Sequence, residues 1–152
     1  MHVDDLDRKL LRLLQQDASA PVSQLAEQIG MSTGPCWRRI EKLEKAEVIT
    51  GWGVQIDPAA LGFGVQVFLR ITLDKTIPGA LDAFIREARD LAEVCTIQTL
   101  LGRVDVRMDI MARDLEHYQE IYKTRILALP HIADIEALML VSEIKNDEAL
   151  PL

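Results

Sequence analysis

PVSQLAEQIGMSTGPCWRRIEKLEKAEVITGWGVQI, residues 21–56, reads as two short helices, a tight turn between them and a trailing strand or ribbon. Val22, Leu25, Ala26 and Ile29 recur at the spacing of one helical face. Gly30 follows the last of them, where a left-handed helix end favours a residue without Cβ. Ser32 is placed to cap the next helix with its side-chain oxygen, and Pro35 lies in that helix's first turn. Cys36, Ile40 and Leu43 form its apolar side, while Arg38, Arg39, Lys42 and Lys45 lie elsewhere on its surface. A helix anchored on one side and basic on another suits a DNA major groove.

Working outward, Leu6, Leu10, Leu13 and Leu14 predict a first helix over about residues 4–17, with Asp4, Asp5 and Asp7 at its positive N-terminal end. Ile49 to Ile56 reads as a strand or short ribbon, so three helices and a wing make a winged helix-turn-helix. Asp57-Pro58 and the small residues up to Gly64 mark a connector. The expected organisation is a DNA-binding domain over 1–57, a linker over 58–64 and a second domain over 65–152.

The second domain has strand periodicity first. Val65, Val67, Leu69, Ile71 and Leu73 alternate with Gln66, Phe68, Arg70 and Thr72. Pro78-Gly79 opens a helix striped by Leu81, Phe84, Ile85, Ala88 and Leu91. Val94–Leu101 and Val104–Ile110 read as strands separated at Gly102. Asp114 caps a helix carrying Leu115, Tyr118, Ile121, Tyr122 and Leu129, and Ile132–Ser142 is the last strand. The order βαββαβ is that of a ferredoxin-like unit, so the fold class is α+β. Helices cover one sheet face only. The first and last strands look apolar on nearly every residue, which predicts a homodimer packed sheet to sheet.

The net charge of −7 in 152 residues looks unsuited to nucleic acid, but it is uneven. Residues 1–50 carry a net −1 and residues 51–152 a net −6. Phosphate binding needs a local basic surface, and this one predicts modest, salt-sensitive affinity per copy. Several copies acting together compensate. No run reaches the roughly 18 apolar residues of a membrane span. No apolar leader follows the charged N-terminus, so a cytoplasmic protein is expected. Cys36 and Cys95 are too few for a disulfide framework, and no His/Cys cluster has metal-ligand spacing. Neither a metal nor a cofactor is expected.

The whole chain resembles the Lrp/AsnC family of transcription regulators, also called feast/famine regulatory proteins. Leu6-Asp7-Arg8-Lys9-Leu10-Leu11 stands where that family opens its first helix. Leu25–Ser32 is similar to its LAxxVGLS segment, Pro35–Glu44 to its PCxxRVxRLE recognition helix, and Ile49-Thr50-Gly51-Trp52 to its IxGY. The resemblance implies a regulator of double-stranded DNA, dimers formed through the second domain, and their assembly into octamers or similar rings. It also implies an amino-acid effector bound between dimers near a Gly-Asp-x-Asp-Tyr loop. Here that loop is Gly102-Arg103-Val104-Asp105-Val106, matching at Gly102 and Asp105. The expected effector residues are therefore Gly102, Arg103, Val104 and Asp105.

For DNA, the candidates are Ser32, Thr33, Gly34, Trp37, Arg38, Arg39 and Lys42. Ser32, Thr33 and Gly34 open the recognition helix, where free N–H groups favour a phosphate. Arg38 and Lys42 share a face one turn apart. Glu41 and Glu44 could instead neutralise this side as a solvated helix face. Arg39 either joins the basic set or pairs internally. Trp37 either touches a sugar or thymine methyl, or packs against the wing or first helix; Trp52 is expected at the domain junction. Asp105, Arg107 and Asp109 share a strand face, where charge compensation outweighs a catalytic pair, because no nucleophile–base motif accompanies them. The alternative to a DNA regulator is a small-molecule-binding oligomeric module with a weak or vestigial DNA domain.

Overall fold

The computed structural model describes residues 2–146 and 148–152. The chain divides into two compact units, Met1–Gln55 with Lys145–Leu152, and Ile56–Ile144.

In the first unit, α1 (Asp5–Gln16), α2 (Val22–Ile29) and α3 (Thr33–Lys45) enclose a small core. Leu10 and Leu14 of α1 meet Leu25, Ala26 and Ile29 of α2 and Cys36, Ile40 and Leu43 of α3. The start of α1 is a reciprocal capping box. Asp4 accepts the Asp7 N–H at 2.8 Å, and Asp7 accepts the Asp4 N–H at 3.1 Å. Gly30 ends α2 at φ 74°, and the Met31 N–H reaches back to Ala26 O at 2.9 Å. The end of α3 repeats this geometry with Glu47 at φ 54°, where Val48 N–H bonds Leu43 O at 2.9 Å.

Three expectations change here. Ser32 stands at the N-cap of α3 with extended backbone, but its side chain makes no capping bond. Only its carbonyl is used, accepting the Cys36 N–H at 3.2 Å. Residues 50–57 form no strand. A ribbon needs a second edge to satisfy its ladder, and among the described residues no strand pairs with this segment; Trp52, Val54 and Ile56 are exposed. Leu150 and Leu152, expected in the second domain, bond to α1 of the first unit. Gln15 exchanges two hydrogen bonds with the Leu150 backbone, and Arg12 Nε donates to Leu152 O.

The second unit begins with an Asx turn, Asp57 accepting the Ala59 N–H at 3.0 Å, and a 3₁₀ turn over Ala59–Leu61. Its elements are β1 (Val65–Leu73), α4 (Ala80–Ala88), β2 (Val94–Thr99), β3 (Val106–Ala112), α5 (Leu115–Ile121) and β4 (Ile132–Met139). Asp114 caps α5 through the His117 N–H at 2.7 Å. A π-helical turn, Tyr122–Ile126, extends α5 and brings Ile126 into the core. The sheet order is β2-β3-β1-β4, antiparallel throughout, as a ferredoxin-like unit requires. Val67, Leu69, Ile71 and Leu73 of β1 and Val106, Met108, Ile110 and Ala112 of β3 form one buried face. Phe84 and Ala88 of α4 and Tyr118 and Ile121 of α5 cover it.

The opposite face is more polar than the run of apolar residues suggested. Register places Phe68 beside Leu138 and Arg70 beside Glu136. Arg70 pairs with Glu136 at 3.2 Å. Arg107 lies 4.9 Å from the Phe68 ring centroid and 3.4 Å from Asp109 Oδ1. Apolar and charged side chains therefore share this face.

Candidate nucleic-acid interface

The geometry of α3 follows from its helical period. Cys36, Ile40 and Leu43 are buried and dock the helix on α1 and α2. At about 100° per residue, Arg38, Lys42 and Lys45 then fall on the opposite side. All three are exposed, and none makes a hydrogen bond or ion pair among the described residues. Glu41 and Glu44, the alternative partners for this side, make no ion pair with it among the described residues. Glu44 accepts the Trp52 indole N–H at 2.7 Å, on the flank of the helix. That bond ties Trp52 to α3 of the first unit. Arg38, Lys42 and Lys45 thus form a cationic line free of ion pairs, bordered by Glu41, on an otherwise acidic protein, and supply the local charge that phosphate binding demands.

Ser32, Thr33 and Gly34 are exposed at the N-terminal end of that line. The first N–H groups of a helix have no partner within it, so this end can also receive an anion. Trp37 is 50% exposed. It borders a cavity of about 230 Å³ between α2, α3 and the segment that follows, together with Leu25, Ile40 and Trp52. Part of its ring therefore packs and part faces solvent.

Arg39 separates from the other cations. Its Nη1 lies 3.0 and 2.8 Å from the two carboxylate oxygens of Asp4 and 2.6 Å from Oδ1 of Asp7. Asp7 is 3% exposed, the buried charged residue of this core. The Asp4 carboxyl is held below its ordinary range by the Asp7 N–H and then by Arg39, and these two aspartates hold the Arg39 guanidinium even more firmly protonated. Arg39 thus makes the internal pairing that stood as the alternative to a DNA contact. Its acids lie 35 and 32 positions away in sequence, which no local spacing rule reveals.

The loop expected to meet an effector is also partly committed. Asp105 Oδ1 accepts from Lys75 Nζ at 2.7 Å, and Oδ2 accepts the Leu73 N–H at 2.8 Å. The Lys75 bond first, and the Leu73 N–H second, hold its carboxyl below the ordinary range. Asp105 borders an open cleft of about 340 Å³ with Leu73, Lys75, Ile77, Ala80 and Asp82. Gly102, Arg103 and Val104 lie outside its wall. Gly102 and Arg103 are exposed in a turn, and the Arg103 carbonyl accepts from Thr72 Oγ1 at 3.3 Å. Lys75 is the residue that sequence reasoning missed here. Cys36 is buried, which pushes its thiol upward, as suits a core residue, while Cys95 is exposed.

Comparison with known proteins covers both units. The AsnC-type helix-turn-helix domain matches residues 3–44, and the Lrp/AsnC ligand binding domain matches residues 66–150. The chain is 30% identical to the DNA-binding transcriptional activator DecR of Escherichia coli, over 99% of each chain. It is 33% identical to the glutamate uptake regulatory protein of Zymomonas mobilis, over 99% of this chain and 91% of that one. Among solved structures, an AsnC family transcriptional regulator from Agrobacterium tumefaciens matches at a TM-score of 0.88 and 34% identity, over 97% of this chain and 96% of that one. A transcriptional regulator from Neisseria meningitidis in complex with L-Met matches at a TM-score of 0.92 and 25% identity, over 99% and 97%.

Proposed function

The chain belongs to the Lrp/AsnC family of DNA-binding transcription regulators, and from that premise we propose that α3 reads the major groove with Arg38 and Lys42 at the centre of its contact. The observation that carries this reading is the free cationic line of Arg38, Lys42 and Lys45 opposite the buried Cys36, Ile40 and Leu43. Ser32, Thr33 and Gly34 seat a backbone phosphate at the start of the helix, and Lys45 adds charge at its end. The exposed part of Trp37 touches sugar or a thymine methyl at the edge of the contact. Residues 58–64 lead from the reading unit into the sheet and form the opening turns of the second unit. No helix among the described residues is long and apolar enough to cross a membrane. The protein acts in the cytoplasm, where DNA is accessible to it.

The second unit is the ligand-binding domain of the family. It binds a small amino acid or related molecule at an edge near Gly102–Asp105, completed by a second subunit. It also pairs protomers through the mixed sheet face around Phe68, Leu138 and Arg107, with dimers assembling further into octamers or rings. A dimer presents two α3 helices to half-sites about 34 Å apart or a multiple of that. An effector regulates only if it favours one assembly over another. The assigned test is selection of binding duplexes from a random pool at moderate salt. Enrichment of a two-fold symmetric sequence is expected; a pool that stays random after repeated rounds overturns the reading. Thermal-shift screening against the amino acids tests the effector, because a ligand of the folded state raises the melting point. A flat response to all of them removes an amino-acid effector.

A further inference from the structure

Arg39 sits one residue from Arg38 on the helix proposed to read DNA, yet its half-buried side chain turns to the first turn of α1. Its Nη1 bridges Asp4 and Asp7 at 2.6 to 3.0 Å. The two aspartates are locked to each other as the capping box of α1. The cluster therefore joins the first turn of α1 to the flank of α3. The apolar contacts of Cys36, Ile40 and Leu43 hold α3 close, but apolar packing is non-directional and resists rotation about the helix axis weakly. A guanidinium bridging three carboxylate oxygens is directional and does resist it. Swinging Arg39 out to DNA would leave the buried Asp7 carboxylate without its cation, an expensive arrangement.

We propose that the Asp4–Asp7–Arg39 cluster is a positioning device that sets the rotation of α3, so that two acidic residues are required for sequence-selective DNA binding without touching DNA. This rests on the reading of α3 as the groove-reading helix. It makes an unusual prediction of sign. Removing negative charge from a DNA-binding face ordinarily strengthens binding, whereas here it weakens selective binding. Such a rotation moves Arg38 and Lys42 together, since both are carried by the same helix.

The variants Asp4→Asn with Asp7→Asn, Arg39→Met and Arg39→Lys test this in the full chain. Asparagine keeps a side-chain oxygen for the cap while removing the charge. Affinity is measured on a duplex selected by the unaltered protein and on random duplex, across a salt series. For every variant, selected-site affinity is expected to fall about tenfold, the worth of one good base contact, with random-duplex affinity held or raised. The slope of log affinity against log salt stays unchanged in Arg39→Met, because a lost phosphate contact would reduce it by about 0.9. A slope reduced by that amount, with equal losses on both duplexes, makes Arg39 a phosphate contact and overturns the proposal. Stronger binding of the selected duplex by the double asparagine variant overturns it as well. Arg39→Lys keeps the charge and serves as the readout should Arg39→Met fail to fold. Retained selectivity in this variant means that charge alone suffices, and the proposal fails. Arg38→Glu with Lys42→Glu runs in parallel. If that variant binds DNA normally, the groove reading itself is wrong, and the positioning role falls with it.

Discussion

Lys75 Nζ stands 2.7 Å from Oδ1 of Asp105, across 30 positions of sequence, while the other oxygen of that carboxylate takes the Leu73 N–H. The pair closes the end of β1 against the loop that precedes β3. It also means that Asp105, one of the residues expected near an effector, already has a cation and a backbone donor.

The first prediction concerns acid. The folded-state pKa of Asp105 lies below its unfolded value of about 3.9. Its contribution to stability is therefore complete above the unfolded pKa and is lost as pH falls through the folded one. Lys75→Met removes the largest cause of that depression. NMR titration of the Asp105 carboxyl should then move upward toward the ordinary range, and acid unfolding should begin at higher pH. A titration identical to that of the unaltered protein would refute the pairing.

The ends of α2 and α3 make a matched pair. Gly30 and Glu47 both occupy left-handed backbone, at φ 74° and 54°. A Cβ at Gly30 meets nothing within 4 Å, so Gly30→Ala tests backbone cost alone. It should destabilise by about 1 kcal/mol. Glu47→Gly should do the opposite, stabilising by roughly 0.5 kcal/mol after the greater freedom of glycine in the unfolded chain is counted. Denaturant midpoints measured on both variants check the two signs.

Charge reversal tests the reading face. Arg38→Glu with Lys42→Glu should abolish selective binding and lower the salt slope by roughly 2, about 0.9 for each phosphate contact removed per protomer. Sedimentation should find the oligomer unchanged, since neither residue lies in the second unit. Normal DNA binding would favour a small-molecule module with a vestigial reader.

The tail gives a fourth outcome. Gln15 both donates to the Leu150 carbonyl and accepts the Leu150 N–H, at 3.3 and 2.6 Å. Gln15→Ala should destabilise the first unit by about 1 kcal/mol, because two exposed bonds are exchanged for water. Hydrogen exchange at Leu150 should accelerate in parallel; an unchanged rate would mean that the tail is not held there.

Elements whose signals repeat locally were legible. The stripes of α1, α2 and α3 and the alternation of β1 and β3 emerged at the expected places, because a period of 3.6 or 2 is written over neighbouring residues. So was the capping role of Asp114. The segment after α3 misled for a physical reason. Ile49 to Ile56 has the composition of a ribbon, but a strand exists only when another edge pairs with it, and composition does not report a partner. The π-turn after α5 was equally hidden, since Ile126 and Leu129 fit a plain helix stripe in outline.

The sequence by itself determined the faces of α3: a helix with Cys36, Ile40 and Leu43 on one side must present Arg38 and Lys42 on the other, since helical geometry leaves no choice. It also determined the βαββαβ order and, through extended motif matches, the family. Only the tertiary structure decided which charges are free. Arg38, Arg39 and Lys42 look alike in a list of residues. One of them is consumed by Asp4 and Asp7, and Asp105 by Lys75, because Coulomb attraction depends on distance in space and is blind to separation along the chain.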